Sequence, residues 1–261
     1  QGGIVSPLLA NIVLHELDNW VEDALIPEHA RGKQRRQNPE YQRISTEEQR
    51  AWRAGNHSEG RYWRSQKWQI PRGMPDDAEY ARLRYCRYAD DFILGWSGSK
   101  QEAIEIRNKI AHFLKEEIGL ELSMEKTQIT HATTERAKFL GYELKVSRDN
   151  TKTKTYRHHN GQMIKGRSVN GDVQLLVPQT VRQDWVKRYV DGNDKAIKQM
   201  RWLHLPDFDI ISHFGGQWRG LVNYYALAMN IKILSHVEWA MSRSLQATLA
   251  RPTRHRHGPT G

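Results

Sequence analysis

The chain has 261 residues, of which 38% are hydrophobic, enough for a buried core and two domains. Forty Lys and Arg against thirty Asp and Glu leave a net charge of +10, and nine Trp and ten Tyr accompany it, a composition that suits a polyanionic partner with bases to stack. The single cysteine, Cys86, excludes an internal disulfide framework and a Cys-rich zinc site and is expected to be a small buried residue. With no signal peptide and no eighteen-residue apolar run, the expected location is the cytoplasm, away from any membrane.

The chain opens on Gln1-Gly-Gly-Ile-Val-Ser6-Pro7, a loop running into a helix, with Ser6 as N-cap and Pro7 at the first helical position. Leu9, Ile12, Val13, Leu17, Trp20, Val21 and Leu25 recur at helical spacing, and Pro27 is expected to close the helix. The absence of an initiating Met reads as the loss of an upstream part. Residues 29–75 differ in character, with eleven Lys or Arg against four acids, a local net charge of +7, and Tyr41, Trp52, Tyr62, Trp63 and Trp68 interleaved. This stretch reads either as a solvated insertion or as a phosphate-contacting surface with stacking platforms, and the clustering of both residue types favours the second.

Two adjacent carboxylates, Asp90 and Asp91, follow Leu83, Tyr85 and Tyr88 and precede Phe92, Ile93, Leu94 and Trp96. Aspartate is poor inside strands and good at turns, so the pair belongs at a β-hairpin tip. Alone it is either a solvated turn or a site for Mg²⁺, which takes hard oxygen ligands through one or two carboxylates plus substrate phosphates. Ser99 and Glu102 form a capping box for a helix striped by Ile106, Ile110, Phe113, Leu114 and Ile118 and ended by Gly119. Phe139-Leu-Gly141-Tyr-Glu-Leu-Lys-Val146 reads as a strand with a glycine at a close approach. Residues 150–177 read as a β-rich connector with turns at Asn160-Gly161 and Asn170-Gly171, and His158 and His159 as surface or RNA-facing residues. Beyond Pro178 three apolar stripes give a short helix through Val181, Trp185, Tyr189 and Val190 ended by Gly192, a long one from Ile210 to Met229 and a third from Leu234 to Leu249, and the tail from 251 to 261 has no pattern and is expected to be disordered.

Several motifs then align in one order. Gln1-Gly-Gly-Ile-Val-Ser-Pro-Leu-Leu-Ala-Asn resembles the fourth block of reverse transcriptases, Tyr88-Ala-Asp-Asp the fifth, Gly119-Leu-Glu-Leu-Ser-Met-Glu-Lys126-Thr the sixth and Phe139-Leu-Gly141-Tyr the seventh. With the basic insertion Arg31-Gly-Lys-Gln-Arg-Arg-Gln-Asn-Pro-Glu-Tyr41 and the segment Phe214-Gly-Gly-Gln-Trp-Arg219-Gly-Leu-Val-Asn223-Tyr-Tyr225, the chain is most similar to group II intron-encoded reverse transcriptase/maturases.

That resemblance implies an α+β fold. Residues 1–149 would be a partial polymerase palm, an antiparallel sheet with packed helices and Asp-Asp at a hairpin tip, carrying the insertion at about 29–75. Residues 178–250 would be a partial helical thumb/maturase domain, joined through the connector. It implies an RNA-directed DNA polymerase, a nucleotidyltransferase acting on an RNA template, a DNA or RNA primer and dNTPs, with two Mg²⁺ ions, replaceable by Mn²⁺, about 3.5–4 Å apart. Asp90 and Asp91 would be the metal-binding catalytic carboxylates, Asp90 the more direct ligand. Gln1, Gly2, Tyr88 and Ala89 would shape the nucleotide and template pocket. Lys126 would approach the primer or incoming phosphates, Leu140 and Gly141 would form the primer grip, and Arg31, Lys33, Arg35, Arg36, Arg219 and Asn223 would meet template–primer or intron RNA. The family's third carboxylate lies on a strand before the Gln-Gly-Gly loop, so this chain alone is expected to lack appreciable polymerase activity. The alternatives are a non-catalytic RNA-binding splicing maturase module and, more weakly, a metal-dependent nuclease, which needs a further acid near Asp90.

Overall fold

A computed structural model describes residues 5–148, 153–157, 159–167 and 171–250. The fold mixes helices with small antiparallel sheets and divides into two compact units. One comprises 1–133 and 147–172, the other 134–146 and 173–261. The stretch read as the seventh block therefore folds with the C-terminal helices, and residues 150–177 are shared between the units, because strand pairing outweighs order along the chain.

The first unit begins with α1 (Ser6–Trp20), a π-helical turn (Val21–Leu25) and α2 (Ile26–His29). Pro27 does not end this helix as expected. The wider π turn, closed by a hydrogen bond from the Ile26 N–H to the Val21 carbonyl, sets the register so that the missing N–H of proline falls in the first turn of α2. Ser6 caps nothing; Val5 stands at the N-cap without a side-chain hydrogen bond. The hairpin β1 (Leu83–Tyr88) and β2 (Asp91–Trp96) follows, with Leu83 opposite Trp96 and Tyr88 opposite Asp91. Strand alternation turns Leu83, Tyr85, Phe92, Leu94 and Trp96 toward one core, which Leu17, Val21 and Leu25 share with Ile106, Ile110 and Leu114. Burial of this apolar surface is the main force docking the hairpin on its helices. Cys86 lies on the opposite, solvated face and is exposed, contrary to the burial expected from its apolar neighbours. Leu9, Ile12 and Val13 are exposed as well, so the apolar stripe of α1 is buried only from Leu17 onward.

The basic insertion folds into an antiparallel helix pair, α3 (Pro39–Arg53) and α4 (His57–Gln69), whose N-caps Asn38 and Asn56 accept from Glu40 N and Glu59 N. Gly60 lets the two helices meet, since a Cβ there would stand 2.6 Å from the Trp52 ring. Helix α5 (Lys100–Phe113) starts at the Ser99–Glu102 capping box, runs on through a π turn (Leu114–Ile118) and stops at Gly119 in the left-handed region. Trp20 and Phe113 stack at 4.3 Å between α1 and α5. A further hairpin, β5 (Thr153–Arg157) with β6 (Met163–Arg167), spans the Asn160-Gly161 turn; His158 and Asn170 lie outside the described residues.

In the second unit β3 (Ala137–Phe139), β4 (Tyr142–Val146) and β7 (Val173–Leu176) form a sheet in the order β3-β4-β7. Helices α6 (Gln179–Lys187), α7 (Asp207–Tyr224) and α8 (Ser235–Leu249) enclose a core of Val177, Tyr189, Trp202, Ile210, Phe214, Leu221, Leu234 and Val237. Asn230 holds both backbone groups of Val177, donating to its carbonyl at 3.1 Å and accepting from its N–H at 2.7 Å. No helix of the described residues is long and apolar enough to cross a membrane.

Candidate active site

Ala89 and Asp90 are the two residues that join β1 to β2, and Asp91 begins β2 opposite Tyr88. Both carboxylates are exposed, as is Tyr88 at 67%. Ala89 has φ +54°, a left-handed conformation that costs a residue with a Cβ about 1–2 kcal/mol. Such strain persists where the surroundings over-determine it, and here the surrounding group is Arg87. Its Nη1 donates to the Ala89 carbonyl at 2.6 Å and to Asn11 Oδ1 at 3.0 Å. Its Nε and Nη2 form a fork on the carboxylate of Asp18 in α1, at 2.8 and 2.5 Å. The Tyr85 hydroxyl donates to the same carboxylate at 2.9 Å. The Arg87 hydrogen bonds hold the Asp18 carboxyl below its usual range against the opposing effect of burial, while burial and the Asp18 charge push the Tyr85 phenol up. The turn carrying the aspartates is thus fixed to α1 by a charge-assisted network.

A second tight turn, Leu140-Gly141, joins β3 to β4 in the other unit, with φ +47° and +72°. Positive φ at both central residues is the pattern of a type I′ hairpin turn, in which leucine is out of place and glycine is required. Among the described residues only Ala89, Leu140 and Asp194 combine a Cβ with positive φ, so two of the three lie in these turns. The carbonyls of Leu140 and Gly141 accept from the hydroxyls of Tyr224, at 2.8 Å, and Tyr225, at 3.1 Å.

A family model described as reverse transcriptase (RNA-dependent DNA polymerase) matches residues 1–144, and one described as type II intron maturase matches 172–257. The group II intron-encoded protein LtrA of Lactococcus lactis subsp. cremoris is 34% identical over 96% of this chain and 43% of its own length. The chain belongs to the group II intron-encoded reverse transcriptase/maturase family. Within that family, the putative COX1/OXI3 intron 1 protein of Saccharomyces cerevisiae is 32% identical over 96% of this chain and 30% of the relative. Protein YkfC of Escherichia coli is 32% identical over 55% of this chain and 31% of the relative. The chain therefore spans less than half the length of these curated relatives.

The positions that the reverse transcriptase resemblance singles out fall in both units. Tyr88, Ala89, Asp90 and Asp91 share the first hairpin, and Lys126 is exposed in the turn 124–126 of the same unit. Leu140, Gly141, Arg219 and Asn223 belong to the second, where Arg219 and Asn223 are exposed on α7. Gln1 and Gly2 lie outside the described residues. Among the described residues no three His, Cys, Asp or Glu gather in a metal-binding group.

Much of the basic insertion is engaged within the chain. Arg31 Nη1 meets Glu102 Oε1 at 2.5 Å, and its hydrogen bond is the leading reason that the Glu102 carboxyl falls to about 2. Arg35 donates to the Met74 carbonyl at 3.0 Å and lies over the Tyr80 ring. Arg36 closes on the buried Asp77 through its N–H at 2.7 Å and its Nε at 2.9 Å. Glu48, also buried, holds Arg64 at 2.8 Å and Lys67; burial pushes its carboxyl up, but the two cations outweigh it and the net shift is downward. Those cations lie over the Trp52 and Tyr41 rings; with Trp63 and Trp68 half-buried, Tyr62 is the exposed aromatic of the five read as stacking platforms. Lys33 is exposed, and its carbonyl accepts from Arg82 at 3.2 Å. Arg87, Asp18, Tyr224 and Tyr225 were not singled out as site residues from sequence. The arginine directly before Tyr88 and the Tyr-Tyr pair after Asn223 are the only local signals of them.

Proposed function

We propose that the chain carries the catalytic hairpin of an RNA-directed DNA polymerase of group II intron type, with maturase-like binding of intron RNA. The observation supporting this most is the pair of exposed carboxylates at a strained two-residue turn held by Arg87. Asp90 and Asp91 offer hard oxygen donors, which fit Mg²⁺ as part of a ligand set that substrate phosphates complete. Two bound Mg²⁺ ions, or Mn²⁺, would supply activation of a primer 3′-hydroxyl and neutralisation of the dNTP triphosphate for in-line phosphoryl transfer. On this reading Tyr88 and Ala89 are assigned to the floor beside the carboxylates, Gln1 and Gly2 to nucleotide and template recognition, and Lys126 to phosphate contact. The fork on Asp18 keeps Arg87 from competing as a counter-ion for Asp90 and Asp91. Palm and thumb/maturase are assigned on the same reading, with the primer grip at Leu140 and Gly141 in the second unit.

RNA binding falls to exposed cations: Lys33, Arg43, Arg53, Arg61 and Arg72 of the insertion and Arg219, with Asn223, on α7. Arg31, Arg35 and Arg36 are first engaged within the unit, by Glu102, the Met74 carbonyl and Asp77. Binding through phosphates is sequence-independent and weakens as salt rises.

A donor set of two carboxylates favours, for this chain by itself, the alternative of a non-catalytic RNA-binding maturase module. Primer extension on an RNA template with Mg²⁺ or Mn²⁺ separates the readings. The expected result is no incorporation by the 261-residue chain together with salt-sensitive RNA binding. Incorporation that Asp90→Ala abolishes would overturn the inactivity.

A further inference from the structure

We propose that Tyr224 and Tyr225 are positioning residues that hold the Leu140-Gly141 turn in the strained form that meets a primer strand; the inference rests on the primer-grip reading above. Three hydrogen bonds interlock this corner of the second unit. The Tyr224 hydroxyl donates to the Leu140 carbonyl at 2.8 Å, and the Tyr225 hydroxyl to the Gly141 carbonyl at 3.1 Å. The Tyr142 hydroxyl donates in return to the Tyr224 carbonyl at the end of α7, one of the groups a helix C-terminus leaves without an internal partner. The three rings pack together, with centroids at 4.9 to 5.9 Å.

The arrangement exceeds what closing a hairpin requires. A two-residue turn forms readily with Asn-Gly, whereas leucine at φ +47° resists it. Gly141 is fixed twice, by φ +72° and because a Cβ there would stand 3.0 Å from the Tyr224 hydroxyl. With both turn carbonyls drawn onto the tyrosines, the backbone of Gly141 remains exposed and free of a side chain. A bare, neutral, rigid backbone suits the close approach of a sugar-phosphate chain of any sequence. Tyr224 is 55% exposed, so its hydroxyl is not needed to fill the core, whereas Tyr225 is 5% exposed.

The test uses the whole chain and a DNA primer annealed to an RNA template, with photoreactive 4-thiothymidine at the primer 3′ end. Cross-linked peptides are identified by mass spectrometry, and affinity is followed by fluorescence anisotropy. The wild type is expected to cross-link at Leu140-Gly141. Tyr224→Phe should reduce that yield about threefold and Tyr224→Phe with Tyr225→Phe about tenfold, the worth of one and two neutral hydrogen bonds. Hydrogen exchange at the amides of Gly141 and Tyr142 should rise in parallel, while the circular dichroism of Tyr224→Phe is unchanged. An unchanged cross-link yield in both variants overturns the positioning role while leaving the primer grip standing. A wild type that cross-links elsewhere overturns the primer-grip reading, and the proposal with it.

Discussion

The Ala89-Asp90 turn of the first unit and the Leu140-Gly141 turn of the second share a design. Each places a residue with a Cβ at positive φ, and each has a backbone carbonyl gripped by a side chain from outside the turn. The grips differ in chemistry. Arg87 is a cation locked on Asp18, so the first turn depends on an ion pair. Tyr224 and Tyr225 are neutral phenols, so the second does not. An ionic grip is directional and strong where partly buried but leaves a stranded charge when broken, whereas a phenol grip is modest and insensitive to acid. The difference matches the burden of each turn, because the first must hold two carboxylates side by side in water.

Arg87→Met tests the contrast most severely. It frees the Ala89 carbonyl and strands the Asp18 carboxylate, and should cost about 3 kcal/mol in urea unfolding of the first unit. A loss of less than about 1 kcal/mol would make the two grips equivalent. Acid is the next lever. The Asp18 carboxyl is held low by Arg87, so its contribution is present above the ordinary carboxylate range and is lost as pH falls through its depressed value. Glu102, at about 2, behaves likewise, losing its contribution between about pH 4.5 and 2. Burial raises the Tyr225 phenol, so its contribution is complete below about pH 10 and declines above it. Hydrogen exchange across pH should therefore show the first unit loosening in acid before the second, and equal loosening would contradict the assignment.

Smaller effects test the strain. Gly141→Ala should cost about 2 kcal/mol, adding left-handed strain to contact with Tyr224. Ala89→Gly should stabilise the first unit by up to about 1 kcal/mol, because glycine takes φ +54° without penalty. Thermal or urea denaturation reads both, and a loss at Ala89→Gly would mean that the turn is not strained.

The parts legible in the sequence were those with local causes. The Ser99–Glu102 capping box and the Gly119 stop follow from short-range chemistry, and the structure bears both out; the three C-terminal stripes give helices too, but α6 ends at Lys187 rather than at Gly192, and α7 ends at Tyr224, short of Met229. Pro27 does not close the helix because a π turn upstream, which composition does not show, shifts the register. Cys86 is exposed despite its apolar neighbours, because such a run does not say which face of a strand is covered. The insertion's charge was plain, but not that buried Glu48 and Asp77 would engage several of its cations. Arg87 grips Ala89 locally, but its anchor Asp18 and the grip of Tyr224 on Leu140 join residues far apart in the chain, and no local pattern brings such partners together.

The most direct test of the central claim is the paramagnetic broadening of backbone amide resonances by Mn²⁺ added to the ¹⁵N-labelled chain. If Asp90 and Asp91 hold a divalent metal, the amides of Tyr88 to Phe92 broaden first as Mn²⁺ rises, Mg²⁺ reverses the effect, and Asp90→Asn with Asp91→Asn abolishes it. Broadening centred elsewhere, or unchanged in that double variant, would contradict a catalytic metal site at the hairpin.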